Sequence, residues 1–191
     1  MTDATLHILG IAGSLRAGSF NRGLLRAAVA LIPQGATLDT FELAGLPLYN
    51  FDLESNVPSE AKGLRAAIRA ADAVLLVTPE YNYSVSGVLK NAIDWGSRPP
   101  KENTWDGKPG AIMGASPGLL GTARAQYHLR QVLQSVNVLT LNHPEVMVAS
   151  AKTKFDTEGN LLDADTRERV KRLLEALVAW TRRLKPAAHR T

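Results

Sequence analysis

The sequence contains no cysteine and no apolar run long enough to cross a membrane. The missing cysteines exclude disulfide bonds, thiolate metal sites, iron–sulfur clusters and cysteine nucleophiles. A membrane-spanning helix needs about 20 consecutive apolar residues, which this chain does not offer. Residues 1–5 also lack the basic and apolar regions of a secretory signal. We therefore expect a cytoplasmic protein that does not act at a membrane.

The charge pattern gives little reason to expect a nucleic-acid partner. The formal net charge is +4, and much of the positive charge lies between Arg167 and Lys185. Acidic residues such as Asp165 and Glu168 are interleaved there, and no aromatic platform accompanies the basic residues. This pattern is typical of a solvated helix face. The four histidines share neither a spacing nor a neighbouring set of ligands, so no metal site is expected.

The chain reads as one domain, 1–191, because no linker, repeat or low-complexity tract divides it. Strand-like apolar runs alternate with segments of helical periodicity. Strands are expected at 6–9, 37–42, 73–78, 110–115 and in parts of 138–148. Helices are expected from about 24 to 32, from a cap at Ser59–Glu60 to 71, from 85 to 96, from 125 to 136, and from a capping box at Asp165 and Glu168 to 184. This alternation predicts an α/β protein with a parallel sheet and helices on both faces.

A loop of small and polar residues follows the first expected strand. It contains the Ser14 and Ser19 hydroxyl groups, the Asn21 amide and the Arg16 guanidinium, and it leads into a helix. Backbone N–H groups and the positive end of the helix dipole meet at such a point. The loop is therefore predicted to bind a phosphate group.

The spacing of this loop differs from two familiar phosphate-binding loops. Gly13 and Gly18 have the glycine spacing of a Walker loop, but Ser19-Phe20 stands where that loop has Lys-Ser/Thr, so an NTPase is not expected. The dinucleotide loop G-x-G-x-x-G is shorter and has fewer hydroxyl groups, whereas this loop suits a terminal phosphate monoester. Glu42 near the end of the second strand resembles a ribose-binding acid, so a dinucleotide site stays open as an alternative.

Two further loops are expected beside the first one. Ligands of such sheets bind beyond the carboxyl ends of the strands, at the switch point of the topology, so loops 13–21, 79–84 and 116–121 should converge. The second loop offers a rigid turn and an aromatic face at Tyr81, and the third offers a close backbone edge at 116–118. A flavin ring needs such backbone groups along its edge. A mononucleotide with a flat ring system therefore fits the three loops.

In these motifs the chain resembles the NADPH-dependent FMN reductase family, the flavodoxin-like quinone and chromate reductases. The motifs are spread in order over about residues 6–150. They are GSLRxGSFN from Gly13, LPLYN from Leu46, TPEYNYS from Thr78, GVLKNAIDW from Gly87, SPGxxG from Ser116 and RAQ from Arg124.

The resemblance implies a flavodoxin-like three-layer sandwich with a five-stranded parallel sheet of order 2-1-3-4-5. It implies that bound FMN takes a hydride from NADPH or NADH and reduces a quinone-like acceptor, with no residue of the chain named as an acid or base. Homodimers or homotetramers are usual in the family. The FMN-binding residues carried over by position are Ser14, Arg16, Ser19, Phe20 and Asn21 at the phosphate, Pro79, Glu80, Tyr81 and Asn82 along the ring, and Ser116 and Gly118 at its other edge.

Two residues depart from the family pattern. Ser86 stands where proline is frequent, and a serine there can cap the following helix. Thr122 stands where a second glycine is common, and it is expected to narrow or reshape the ring pocket.

Trp95 is expected in the core or in a subunit interface, and Asp94 and Glu145 are candidates for ion pairs between subunits.

Two other functions stay open at this point. A non-enzymatic FMN electron carrier would share the fold, but such carriers often have an acidic surface around the ring. This chain is basic, with Lys90, Arg98 and Lys101 near the expected ring edge. A Rossmann oxidoreductase that binds NAD(P) without flavin is the second alternative. The sequence does not distinguish NADH from NADPH as the hydride donor.

Overall fold

A computed structural model describes residues 4–185 of the chain. The strands of this part are β1 (Leu6–Ala12), β2 (Ala36–Phe41), β3 (Ala73–Val77), β4 (Pro109–Ala115), β5 (Leu139–Thr140) and β6 (Val146–Val148). The α-helices are α1 (Phe20–Ala30), α2 (Ser59–Ala70), α3 (Gly87–Gly96), α4 (Ala123–Ser135) and α5 (Ala164–Leu184). The predicted alternation of strands and helices is confirmed.

The strands form one parallel sheet in the order β2-β1-β3-β4-β5. The strand β6 also pairs with β4, at Met113–Ala115, whereas β5 pairs with the start of β4 at Pro109 and Gly110. The fifth strand is thus broken into two short pieces, as its interrupted sequence predicts. The order 2-1-3-4-5 agrees with the flavodoxin-like arrangement.

Two apolar layers cover the two faces of the sheet. One layer joins the sheet to α1 and α5, through residues such as Leu24, Leu25 and Leu174. The other joins it to α2, α3 and α4, through residues such as Leu64 and Leu129. The strand β3 is buried along its whole length, which explains its uninterrupted apolar sequence.

Two helices begin elsewhere than their sequence patterns predict. The helix α1 starts at Phe20, about one turn before the apolar stripe, because Ser19 Oγ caps it by accepting from the Asn21 amide at 3.2 Å. The helix α5 is capped by Asp163, which accepts from the Thr166 amide at 2.9 Å. The predicted capping box at Asp165 is therefore wrong, since that residue already lies in the first turn.

The predicted N-cap is wrong for α2 and confirmed for α3. Pro58 precedes α2 without any side-chain cap, and the Ser59 hydroxyl binds the Glu60 carboxylate at 3.0 Å. The predicted cap at Ser59–Glu60 is therefore wrong. Ser86 caps α3 by accepting from the Leu89 amide at 3.3 Å, as predicted. Its hydroxyl also donates to the Gly13 carbonyl at 2.6 Å, which ties α3 to the loop after β1.

The LPLYN motif is anchored to α3. The Pro47 carbonyl accepts from Asn91 Nδ2 at 2.9 Å and from Trp95 Nε1 at 2.7 Å, and the Tyr49 amide donates to Asn91 Oδ1 at 2.7 Å. Trp95 is 1% exposed, so it belongs to the core. The long connection between β2 and α2 is therefore held against the sheet, although 3-10 turns at Phe51–Asn56 are its only regular structure among the described residues.

Asp94 and Glu145 have partners within the chain. Asp94 pairs with Lys90 one turn earlier, at 2.7 Å, and Glu145 lies 4.0 Å from Arg130. Ion pairs between subunits stay a prediction for both. Within residues 4–185, no helix combines the length and the apolar composition that a membrane crossing requires.

Replacing the cap of α5 should make stability depend on pH in a defined way. Asp163→Ala should lower the free energy of unfolding by about 1 kcal/mol at pH 7, the usual cost of a lost N-cap. Hydrogen bonds from the Thr166 hydroxyl and amide, followed by Lys154, lower the pKa of Asp163. A lowered pKa stabilises the fold above the unfolded-state pKa, and this contribution is lost as pH falls through the folded-state pKa.

The difference between wild type and Asp163→Ala, measured by urea unfolding, should therefore be present at pH 7 and shrink below about pH 4. The same difference at pH 3 and at pH 7 would contradict the role of the charged carboxylate.

Candidate functional site

A cavity of about 340 Å³ opens at the carboxyl ends of β1, β3 and β4. Its lining residues are Ser14, Arg16, Ser19, Phe20, Asn21, Pro79, Glu80, Tyr81, Ala115, Ser116 and Pro117. The three loops predicted to converge do so. Of the predicted FMN-binding residues, only Asn82 and Gly118 lie outside this lining. Ala115 and Pro117 were missed, although both directly flank the predicted Ser116.

The loop after β1 presents unpaired hydrogen-bond donors to the cavity. Within residues 4–185, the backbone amides of 14–18 donate to no other group, and neither does the Ser14 hydroxyl. Ser14 and Ser19 are buried, with 5% and 4% of their surface exposed. Residues 15–18 are exposed. Donors that have no partner in the chain and are gathered at one cavity are available to an acceptor-rich ligand. The start of α1, with its positive helix dipole, lies at the same point.

Arg16 adds a cation to this loop. Its guanidinium donates to the Gly18 carbonyl at 2.9 Å and lies 5.8 Å from the centroid of the Phe20 ring. The side chain is exposed, and among the described residues no carboxylate forms an ion pair with it. The amides, hydroxyl groups and free cation together match the acceptors and the charge of a phosphate dianion.

Asn21 has a different place from the one its motif suggests. Its Nδ2 donates to the Ala115 carbonyl at 2.9 Å, and its Oδ1 accepts from the Ala115 amide at 2.9 Å. The buried side chain therefore joins the start of α1 to the end of β4, across 94 positions of sequence. One amide hydrogen is left for a ligand, so a phosphate contact by Asn21 stays a prediction.

The loop after β3 forms the second wall. Tyr81 lines the cavity and is 53% exposed, and Tyr83 is 71% exposed, so neither is a core aromatic. Glu80 also belongs to the lining, but its carboxylate accepts from the Arg124 and Ala125 amides at the start of α4. The predicted contact between Glu80 and a flavin ring is thus left to its backbone. Arg124, which belongs to a quoted motif, has no predicted role.

The third wall leads from β4 into α4. The Ser116 amide donates to the Val148 carbonyl, and the Gly118 carbonyl accepts from the Ser150 amide, both at 3.0 Å. Thr122 is fully buried behind this loop, where its hydroxyl accepts from Gln126 Nε2 at 3.0 Å. Since Thr122 does not line the cavity, its side chain does not narrow the ring pocket as expected. Lys90, Arg98 and Lys101 do not line it either.

A larger cavity of about 420 Å³ beside β5 has less suitable chemistry. Its Arg130 guanidinium already binds the carbonyls of Leu141 and Asn142, at 3.0 and 3.4 Å. The Trp180 indole donates to the Leu139 carbonyl at 2.8 Å. Because these polar groups have partners within the chain, the cavity at the ends of β1, β3 and β4 is the better candidate.

Comparisons with known proteins agree with this choice of site. The family model described as NADPH-dependent FMN reductase matches residues 6–153. An NAD(P)H-dependent FMN reductase of Pseudomonas aeruginosa is 53% identical over 181 residues, which cover 94% of this chain and 97% of that protein. A 2-hydroxy-1,4-benzoquinone reductase of a Burkholderia species is 43% identical over 177 residues, which cover 93% and 97%. The solved structure of FerB, a flavoenzyme NAD(P)H:(acceptor) oxidoreductase of Paracoccus denitrificans, superposes with a TM-score of 0.86 at 34% identity, covering 93% of this chain and 98% of that one.

The packing beneath the cavity predicts a contrast between two glycines. A Cβ atom on Gly114 would overlap the Thr122 hydroxyl and the Thr78 carbonyl, whereas a Cβ on Gly18 would meet no atom within 4 Å. Gly114→Ala should therefore destabilise the FMN-free protein by about 1–3 kcal/mol or more, and Gly18→Ala should change its stability little. Urea unfolding measures both. Equal stability of the two variants would contradict the close packing of β4 against Thr122.

Proposed function

Since the chain belongs to the NADPH-dependent FMN reductase family, we propose that it is an enzyme that transfers a hydride from NAD(P)H, through bound FMN, to a quinone or a similar small acceptor. The observation that carries the proposal is the cavity at the ends of β1, β3 and β4, because its donors fit a flavin mononucleotide. When bound, FMN supplies the redox chemistry by accepting a hydride and passing the electron pair on.

The phosphate end of FMN would lie in the loop after β1. The amides of 14–18 and the Ser14 and Ser19 hydroxyl groups would donate to the phosphate oxygens. Arg16 would balance the negative charge, because it is exposed and free of a carboxylate partner among the described residues. Helix α1 would add its positive end. A monophosphate uses all of these donors at one point, which favours FMN over a dinucleotide.

The ring end would lie between the loops after β3 and β4. Pro79, Glu80 and Tyr81 would offer backbone groups and an aromatic side chain on one wall, and Ser116 and Pro117 the backbone edge of the other. Asn82 and Gly118 lie beyond the lining, so no direct ring contact is assigned to these two residues. The chain's part in the reaction is to bind and orient FMN and to leave a mouth for NAD(P)H and the acceptor.

The two alternative functions have less support. Relatives with 43–53% identity are named as reductases, which favours an enzyme over a non-enzymatic electron carrier. Glu42, the residue that resembles a ribose-binding acid, pairs with Arg22 at 2.9 Å and lines a separate cavity. A flavin-free Rossmann oxidoreductase is therefore disfavoured.

The proposed enzyme would work as a homodimer or homotetramer in the cytoplasm. Several large apolar side chains are exposed around the cavity, including Leu119 at 86% and Tyr83 at 71%. A contiguous exposed apolar patch often marks an interface between proteins, which supports the proposed assembly. Sizing chromatography over a range of protein concentrations tests the assembly, and a monomer at every concentration would contradict it.

An absorbance experiment tests the activity. The purified protein is incubated with FMN, desalted, and mixed anaerobically with NADPH or NADH and then with a quinone. We expect about one flavin per chain that loses its colour with the nucleotide and regains it with the quinone. Flavin that binds but stays oxidised would favour the electron carrier, and a chain that takes up no flavin would contradict the proposal.

Arg16 provides a specific test of the phosphate site. Arg16→Ala should raise the FMN dissociation constant about tenfold, equivalent to about 1.4 kcal/mol for a lost charge-assisted contact at an exposed position. Arg22→Ala is the matched control, because Arg22 also lies near the start of α1 but pairs with Glu42. Fluorescence titration with FMN measures both. Unchanged affinity in Arg16→Ala would place the phosphate elsewhere.

A further inference from the structure

The loop after β3 adopts a conformation that one of its residues, Tyr83, disfavours. Tyr81 and Ser84 exchange two backbone hydrogen bonds of 3.1 and 3.0 Å, so residues 81–84 form a tight hairpin. The central residues, Asn82 and Tyr83, have φ angles of 49° and 69°. Asparagine tolerates this left-handed region, but a bulky residue such as Tyr83 adopts it rarely. Contacts from outside the hairpin must therefore hold it in place.

Helix α4 supplies contacts at three points. Glu80, directly before the hairpin, binds the first turn of α4. The Arg124 guanidinium carbon lies 3.7 Å from the centroid of the Tyr83 ring. Ser84 Oγ and His128 Nδ1 are 2.8 Å apart. Since Arg124 and His128 are one turn apart, a single face of α4 holds both ends of the hairpin.

Glu80 also completes the N-terminus of α4. The N-cap residue, Thr122, has a φ of 72° and makes no capping hydrogen bond. Glu80 Oε2 takes that place by accepting from the amides of Arg124 at 3.1 Å and Ala125 at 3.2 Å. Glu80 Oε1 accepts from Arg124 Nε at 2.5 Å and pairs with its Nη2, and the carboxylate side chain is 8% exposed. Unpaired first-turn amides need such an acceptor, and here it comes from a distant loop.

Both walls at the ring end of the cavity therefore depend on one carboxylate. The loop 79–84 carries Glu80 itself. The loop 116–121 runs into α4, whose first turn Glu80 binds. The contacts of Glu80 thus fix the distance between the loop 79–84 and the start of α4, which is 44 positions away at Arg124.

We propose that Glu80 is a positioning residue for the cofactor: its carboxylate acts through Arg124 and the first turn of α4 to set the width of the ring end, without touching the ring. The inference rests on the proposed function, in which this cavity holds FMN. It gives the Glu80 carboxylate an indirect role, while the ring contact predicted for Glu80 falls to its backbone.

The variant Glu80→Gln tests this role, because it keeps the shape of the side chain while removing the charge and one acceptor oxygen. In the FMN-free protein, we expect the amides of Tyr81 and Ser84 to exchange with solvent at least ten times faster than in wild type, as measured by NMR hydrogen exchange. We also expect the FMN dissociation constant, measured by fluorescence titration, to rise at least tenfold.

Asp163→Asn is the matched control. Asp163 also caps a helix and pairs with a cation, Lys154 at 3.1 Å, but it lies outside the cavity lining. This variant should lose stability while hairpin exchange and FMN affinity stay within twofold of wild type. Arg124→Lys is a second test, needed if Glu80→Gln does not fold. Arg124→Lys keeps the positive charge and the backbone amides of α4, but it loses the planar guanidinium group over Tyr83. Hydrogen exchange of the hairpin should therefore become faster and the FMN dissociation constant should rise, as in Glu80→Gln.

Three results would overturn the inference. If Glu80→Gln keeps the hairpin exchange and the FMN affinity of wild type, the carboxylate has no positioning role. Equal changes in Asp163→Asn would reduce the effect to general instability. If Glu80→Gln does not fold, unchanged hairpin exchange and unchanged FMN affinity in Arg124→Lys would also overturn the inference. If wild type itself binds no FMN, the proposed function fails, while hairpin exchange alone still shows whether Glu80 holds the loop.

Discussion

The site depends on a constraint of topology, the reversal of strand order between β1 and β3. After β1 the chain crosses through α1 to β2 on one side, and after β3 it crosses through α3 to β4 on the other. Helices α1 and α5 cover one face of the sheet, and α2, α3 and α4 cover the other. The loops at the carboxyl ends therefore separate and leave a crevice, where ligands of such sheets bind. The unpaired amides of 14–18 lie at this crevice.

Long-range polar contacts then give the crevice a definite shape. The Asn21 amide group joins the start of α1 to the end of β4, with two hydrogen bonds of 2.9 Å. The Ser86 hydroxyl joins the start of α3 to the Gly13 carbonyl at 2.6 Å. Glu80 joins the hairpin after β3 to α4. Each contact uses a side chain near the cavity for architecture, so these residues prepare the walls before any ligand is present. Preorganised walls of this kind reduce the cost of ordering loops on binding.

The sequence predicts the architecture well because strands and helices have different apolar periods. The buried strand β3 and the broken fifth strand are examples. Helix starts are less predictable, since Ser19 reads as part of a loop and Asp163 competes with the nearby Asp165 as a cap. The roles of Asn21 and Glu80 could not be predicted from local sequence. Their partners, Ala115 and Arg124, are 94 and 44 positions away, and only the folded chain brings them together.

The central claim is that FMN occupies the cavity at the ends of β1, β3 and β4. A crystal structure of the protein grown with FMN tests this most directly. The account predicts the phosphate among the amides of 14–18, with Arg16 beside it, and the ring between Tyr81 and Ser116. FMN bound elsewhere, for example in the larger cavity beside β5 near Arg130 and Trp180, would contradict the account.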